Sequence, residues 1–186
     1  AIYEIATGKK RKLTNCNPGN SYDQFANSPR WSPDGEYIYY TAFIAPGLSE
    51  IHYIGLNDSK PDTLCKVEGK GKMLKVHDIS LDGSSLLATI ETNIQKTQFA
   101  IVALPGGHME IIKESDGALY ENLKFLPGGH GIVYNCPSDK DSDNHDIYLL
   151  STDGKTNRSL IEHPAHDYVL GLTQDGTQLL FASSRS

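Results

Sequence analysis

A ten-residue pattern that returns four times at nearly constant spacing constrains this 186-residue chain more than any other feature. It reads WSPDGEYIYY from Trp31, ISLDGSSLLA from Ile79, FLPGGHGIVY from Phe125 and LTQDGTQLLF from Leu172, so successive copies start 48, 46 and 47 residues apart. Self-similarity at such a period marks a chain made of stacked copies of one small unit. Each copy is a hairpin in miniature. An apolar residue leads, a turn dipeptide follows (Asp34-Gly35, Asp82-Gly83, Gly128-Gly129, Asp175-Gly176), and an apolar run with β-branched or aromatic residues comes next. Asp-Gly and Gly-Gly suit turns of positive φ, because glycine lacks the Cβ that clashes there.

A second element recurs behind each hairpin: Ile2-Tyr3-Glu4-Ile5, Ile51-His52-Tyr53-Ile54, Ala100-Ile101-Val102-Ala103 and Ile147-Tyr148-Leu149-Leu150. After it comes another turn (Thr7-Gly8-Lys9, Asn57-Asp58-Ser59, Pro105-Gly106-Gly107, Thr152-Asp153-Gly154) and a short strand such as Lys12-Leu13-Thr14 or Arg158-Ser159-Leu160. Each repeat therefore holds four strands, named A to D here. Four antiparallel strands in roughly 40–50 residues is the arithmetic of a β-propeller blade. No 3.6-residue apolar stripe long enough for a helical solenoid is present. The expected fold is all-β, a propeller of four-stranded antiparallel blades with about four in this chain. Strands C and D fall in 1–16, whole blades in 28–66, 76–113 and 121–161, and strands A and B in 168–186. The two half-blades either complete one blade by pairing or belong to a larger ring, the second being favoured.

The W-S-P-D-G hairpin, followed by an I-Y-x-I strand and a T-D-G-K turn, resembles the WD-like repeats of the TolB type, which also occur in propeller domains of prolyl-oligopeptidase-like and tricorn-like peptidases. The resemblance runs from Ile2 to Ser186, and its clearest copies are Pro29–Leu56 and Asp146–Ser184. It implies a ring of six to eight blades, a protein-interaction or gating role, and a periplasmic or extracellular setting. The third copy departs from the motif with Gly128 in place of Asp, and the second and fourth have Leu81 and Gln174 where the motif has proline.

Composition excludes several classes. With 17 Lys+Arg against 23 Asp+Glu, the net charge of −6 supplies no basic stripe for nucleic acid. No apolar run approaches the ~20 residues of a membrane-spanning helix, and Ala1-Ile2-Tyr3-Glu4-Ile5 does not read as a signal peptide. Cys16, Cys65 and Cys136 show no C-x-x-C spacing, so neither a zinc nor a redox motif is indicated. There is no G-x-S-x-G elbow. The balance favours a non-catalytic module that binds a protein or peptide. The alternatives are the substrate-gating propeller of a larger serine peptidase, or a propeller hydrolase or lyase.

Alternation along strand A sorts the candidate binding residues. If Trp31, Ile79, Phe125 and Leu172 pack between blades, the preceding residues Arg30, Asp78, Lys124 and Gly171 face the central channel, as do the following residues Ser32, Ser80, Leu126 and Thr173. Asn122, His166 and Asp167, in the connectors that lead into strand A, complete the candidate set on the face where D-to-A connectors and B-to-C loops gather. No cofactor is expected. Asp139, Asp141 and Asp143 offer carboxylates at alternate positions, as calcium loops do, but Asn144 and Leu150 stand where an EF-hand needs Gly and Glu. That stretch reads as an acidic solvated loop, with a looser calcium site as its alternative. His163 and His166, separated by Pro164, read as incidental loop histidines. The ligand, if a small molecule, is not specified.

Overall fold

A computed structural model describes residues 1–14, 25–92, 96–116, 120, 122–138 and 144–185. It is all-β. Three complete four-stranded antiparallel blades follow one another: blade I with β3 (Phe25–Trp31), β4 (Tyr37–Ala45), β5 (Leu48–Gly55) and β6 (Asp62–Glu68); blade II with β7 (Met73–Ile79), β8 (Ser85–Glu91), β9 (Lys96–Ala103) and β10 (Met109–Asp116); blade III with β11 (Lys124–Phe125), β12 (Gly131–Pro137), β13 (His145–Ser151) and β14 (Asn157–Ile161). Two half-blades flank them, β1 (Ile2–Tyr3) with β2 (Lys10–Arg11), and β15 (Asp167–Leu172) with β16 (Leu179–Ser183). These form separate two-stranded sheets.

Strand B packs the blades together because its side chains alternate. Ile38 and Tyr40 of β4 turn toward Ile2 and Leu13 of the first half-blade, while Tyr39 joins the cluster of blade II. One repeat later Leu86 and Ala88 face blade I and Leu87 faces blade III. In blade III, Ile132 and Tyr134 face blade II, while Val133 meets Val169, Leu179 and Phe181. At the same position in β16, Leu180 is 65% exposed, because no described strand covers that face. Between blades II and III, Phe99, Tyr120 and Tyr134 meet edge to face at 4.9–5.8 Å, and Tyr148 stacks on Tyr134 at 5.8 Å. Such contacts add to the area these rings bury.

Register corrects one sequence alignment. Ile38 pairs with Ile54 and Ile132 with Leu150, but Leu86 pairs with Val102. The second full copy of strand C therefore begins at Phe99 rather than Ala100. Phe99 is fully buried at the position of Ile51 and Ile147, which are also buried. An apolar run cannot by itself reveal a one-residue slip, which only pairing fixes.

The A-to-B turn gains its rigidity from the side chain of Asp as well as from glycine. Gly35, Gly83, Gly129 and Gly176 all have φ near +70°. In blade II, Asp82 Oδ1 accepts bonds from Ser80 Oγ at 2.6 Å and from the Ser84 amide at 3.0 Å, while the Ser85 amide donates to Ser80 Oγ at 2.9 Å. Ser32/Asp34 and Thr173/Asp175 repeat the motif, and Ser151/Asp153 uses it in a C-to-D turn. These bonds hold Asp82, Asp153 and Asp175 at a pKa of about 2, the hydroxyl bond contributing most. Blade III has Leu126 and Gly128 at those places and lacks the device. The depressed pKa means that whatever stability this contributes is present above pH ~4 and lost as pH falls toward 2. Replacing Asp82 by alanine is expected to lower the urea midpoint, with Asp82→Asn closer to wild type.

Candidate functional site

The A strands β3, β7 and β11 lie against one another in turn, and the C-terminal ends of these strands and of β15 border a groove of about 420 Å³ lined by Trp31, Asp78, Leu81, Lys124, Leu170 and Gly171 among others. A bulge in the A strand positions these side chains. Register jumps between Asn27 and Arg30, between Val76 and Asp78, and between Val169 and Gly171, leaving Pro29, His77 and Leu170 at the equivalent extra position. Bulges bend a strand and re-aim its side chains. Ser28, inside the first of these jumps, has a φ of 50°, and Asn122, two residues before Lys124, has a φ of 56°.

The bulge sends the residue after it across to the next blade. Arg30 Nε donates to the His77 carbonyl at 2.5 Å, and the Phe125 amide donates to Asp78 Oδ2 at 2.9 Å, in both cases over 47 residues. Lys124 Nζ lies 3.6 Å from Asp78 Oδ1. Arg30, Asp78 and Lys124 thus staple blade to blade, and Asp78 and Lys124 also line the groove. Next to them His77 is almost fully buried, with Nε2 2.9 Å from Thr89 Oγ1. Burial, then the positive charges of Lys75, Arg30 and Lys124, push its pKa down to about 3.

Trp31 departs from the expected packing. Ile79, Phe125 and Leu172 tuck between blades as alternation predicts, but Trp31 is 50% exposed in the groove. The following residues Ser32 and Ser80 are buried in the turn instead of facing the channel, because their hydroxyls lock Asp34 and Asp82. Leu81 and Leu170, both 55% exposed, add apolar surface to the same mouth. Trp31, Leu81 and Leu170 were not legible as site residues, since the pattern marks them as core or turn.

His166 and Asp167 lie away from this groove, where the start of β13 meets the start of β15. His145 and His166 have ring centroids 5.6 Å apart, with Tyr168 at 5.3 and 6.1 Å. Burial, and secondarily His166, lower the pKa of His145. Asp167 is fully buried and pairs with Arg185 at 2.9 Å. Asn144 Nδ2 donates to the His163 carbonyl, and the His163 amide donates to Asp146 Oδ1 at 3.2 Å. Among the described residues no group of three His, Cys, Asp or Glu side chains is arranged to hold a metal ion. Asn122 is exposed and outside the groove. Asp139, Asp141 and Asp143 lie outside the described residues. Burial raises the Cys65 thiol to about 11, which makes it a poor nucleophile. Among the described residues no helix is long and apolar enough to cross a membrane.

Blades of four antiparallel strands whose A strands converge on one groove define a β-propeller. Its fold is TolB-like. TolB from Acinetobacter baumannii superposes with a TM-score of 0.68 at 20% identity, over 85% of this chain and 37% of that one. An oligogalacturonate lyase in complex with manganese gives 0.65 at 15% identity, over 85% and 47%. An acylaminoacyl peptidase from Pyrococcus horikoshii gives 0.60 at 20% identity, over 84% and 28%. This chain spans less than half the length of each. No family model matches the sequence, and no curated protein matches it.

Proposed function

We propose that this chain is a non-catalytic binding module on a TolB-like propeller, and that it holds a protein or peptide partner at the groove where the A strands meet. The observation that carries this reading is the half-exposed Trp31, set among Leu81, Leu170 and the Asp78–Lys124 pair. A rigid aromatic anchor ringed by aliphatic and paired charged groups is the composition of a binding hot spot. Rigidity comes from the same strands, whose staples hold the groove open without cost on binding. No cofactor is needed. The TolB-like resemblance supports a periplasmic or extracellular setting.

The test uses a partner captured by chemical cross-linking to the wild-type protein and then purified. Trp31→Ala is expected to weaken its binding by about thirtyfold or more, on the order of 2 kcal/mol for a hot-spot aromatic, with the melting temperature unchanged because Trp31 is exposed. Unchanged affinity for every such partner would sink the reading. Arg30 is a poor test residue, since removing it also breaks the bond to His77. The second reading, a gating or catalytic propeller, draws on the likeness to the acylaminoacyl peptidase and the lyase. Under the binding reading the purified chain turns over neither peptides nor oligogalacturonate.

A further inference from the structure

We propose that a second groove, between blades I and II, takes a proline-rich peptide segment carrying an arginine or lysine. The inference rests on the binding-module reading and names the class of partner. The groove has a volume of about 460 Å³ and adjoins the axial one, sharing Pro33 and Leu81 with it. Tyr37 and Tyr39 of β4 form one wall. Tyr53 of β5 backs both, at 6.0 Å edge to face with Tyr37 and 5.8 Å stacked with Tyr39. Pro33 and Pro105 add rigid rings, and the turn carboxylates of Asp34 and Asp82 line the rim.

Three features select the occupant. First, β4 is paired on both sides, by β3 and by β5, so the wall offers no free backbone edge for an added strand. Recognition there must work through side chains. Second, tyrosine and proline rings favour a polyproline II segment, which arrives already ordered and docks in aromatic-lined grooves. Third, each carboxylate spends Oδ1 on its turn, and among the described residues no group bonds Oδ2 of either. Both acids are ionised at neutral pH, and the hydroxyls of Ser32 and Ser80 lower their pKa values further. Two fixed anions beside an apolar wall call for a cation flanked by apolar residues.

The experiment titrates the protein by calorimetry with acetyl-Pro-Pro-Leu-Pro-Pro-Arg-Pro-amide, with the same peptide bearing glutamate for arginine, and with maltohexaose. The arginine peptide is expected to bind, and the glutamate peptide to bind about tenfold more weakly or not at all. Asp34→Asn and Asp82→Asn each keep the oxygen that fixes the turn, and each is expected to weaken the arginine peptide by about two- to fivefold. Tyr37→Leu should weaken both peptides alike. Equal binding of the two peptides, no binding of either, or binding of maltohexaose alone would overturn the proposal. If Trp31→Ala abolishes partner capture while both asparagine variants bind peptide as wild type does, the axial reading stands and this one falls.

Discussion

Replacing Gly154 by alanine is expected to destabilise the protein by about 2–5 kcal/mol, a large share of the stability of an ordinary domain. Gly154 sits in the C-to-D turn of blade III at φ +71°, and a Cβ there would lie 2.3 Å from the carbonyl oxygen of Ile112 in β10. Left-handed backbone costs an L-residue about 1–2 kcal/mol, and relieving the clash must shift either the turn or a strand of the neighbouring blade. Gly107 stands in the same relation to the blade before it, at φ +70° and 2.2 Å from the Leu64 oxygen. Gly129 has φ +72° with nothing within 4 Å of its Cβ position, so Gly129→Ala isolates the backbone cost alone. Urea denaturation should place Gly154→Ala and Gly107→Ala well below Gly129→Ala. Equal losses in all three would show that the turns do not bear on the preceding blade.

Stability is also expected to fall steeply between pH 6 and pH 4.5, by about 2 kcal/mol, because of His77. The unfolded imidazole titrates near 6.5, and the folded one only at about 3. Below pH 6.5 the unfolded chain therefore binds a proton that the folded chain refuses. Stability from this group is complete above 6.5 and is lost at about 1.4 kcal/mol per pH unit down to 3. The charged groups that face it, Lys75, Arg30 and Lys124, all oppose protonation. His145 shifts in the same direction and adds to the slope. In His77→Gln the slope over this window should flatten markedly, while the Asp82, Asp153 and Asp175 turns still titrate near pH 2. A variant as pH-sensitive as wild type would exclude His77 as the cause.

The two sites differ in how far they could be read from the chain. Arg30, Asp78 and Lys124 were singled out by counting from Trp31, Ile79 and Phe125; Asp78 and Lys124 line the groove, whereas Arg30 does not. The hydrogen bonds of Arg30 and Asp78 over 47 residues were not foreseeable, because alternation assumes an unbroken strand and β3 and β7 each carry a bulge just before these residues. Tyr37, Leu81 and Pro105 gave no functional signal at all. They meet only because the C-to-D corner of blade II and the A-to-B turns of both blades come to the same seam. The pairing of Asp167 with Arg185 was likewise hidden, although Asp167 had been singled out.

Local chemistry wrote the repeat into the chain: glycine where φ is positive, Ser or Thr two residues before an Asp that caps the turn in three of the four copies, and a continuous apolar run in strand B that serves both of its faces. Those rules act within about ten residues, so the blade and its four strands were legible from the sequence by itself. Which face of each blade met which neighbour, where Trp31 was left half bare, and why His77 must stay neutral depended on contacts between residues a full repeat apart. Only the folded structure decides such contacts, because burial and charge are properties of the surroundings that packing creates.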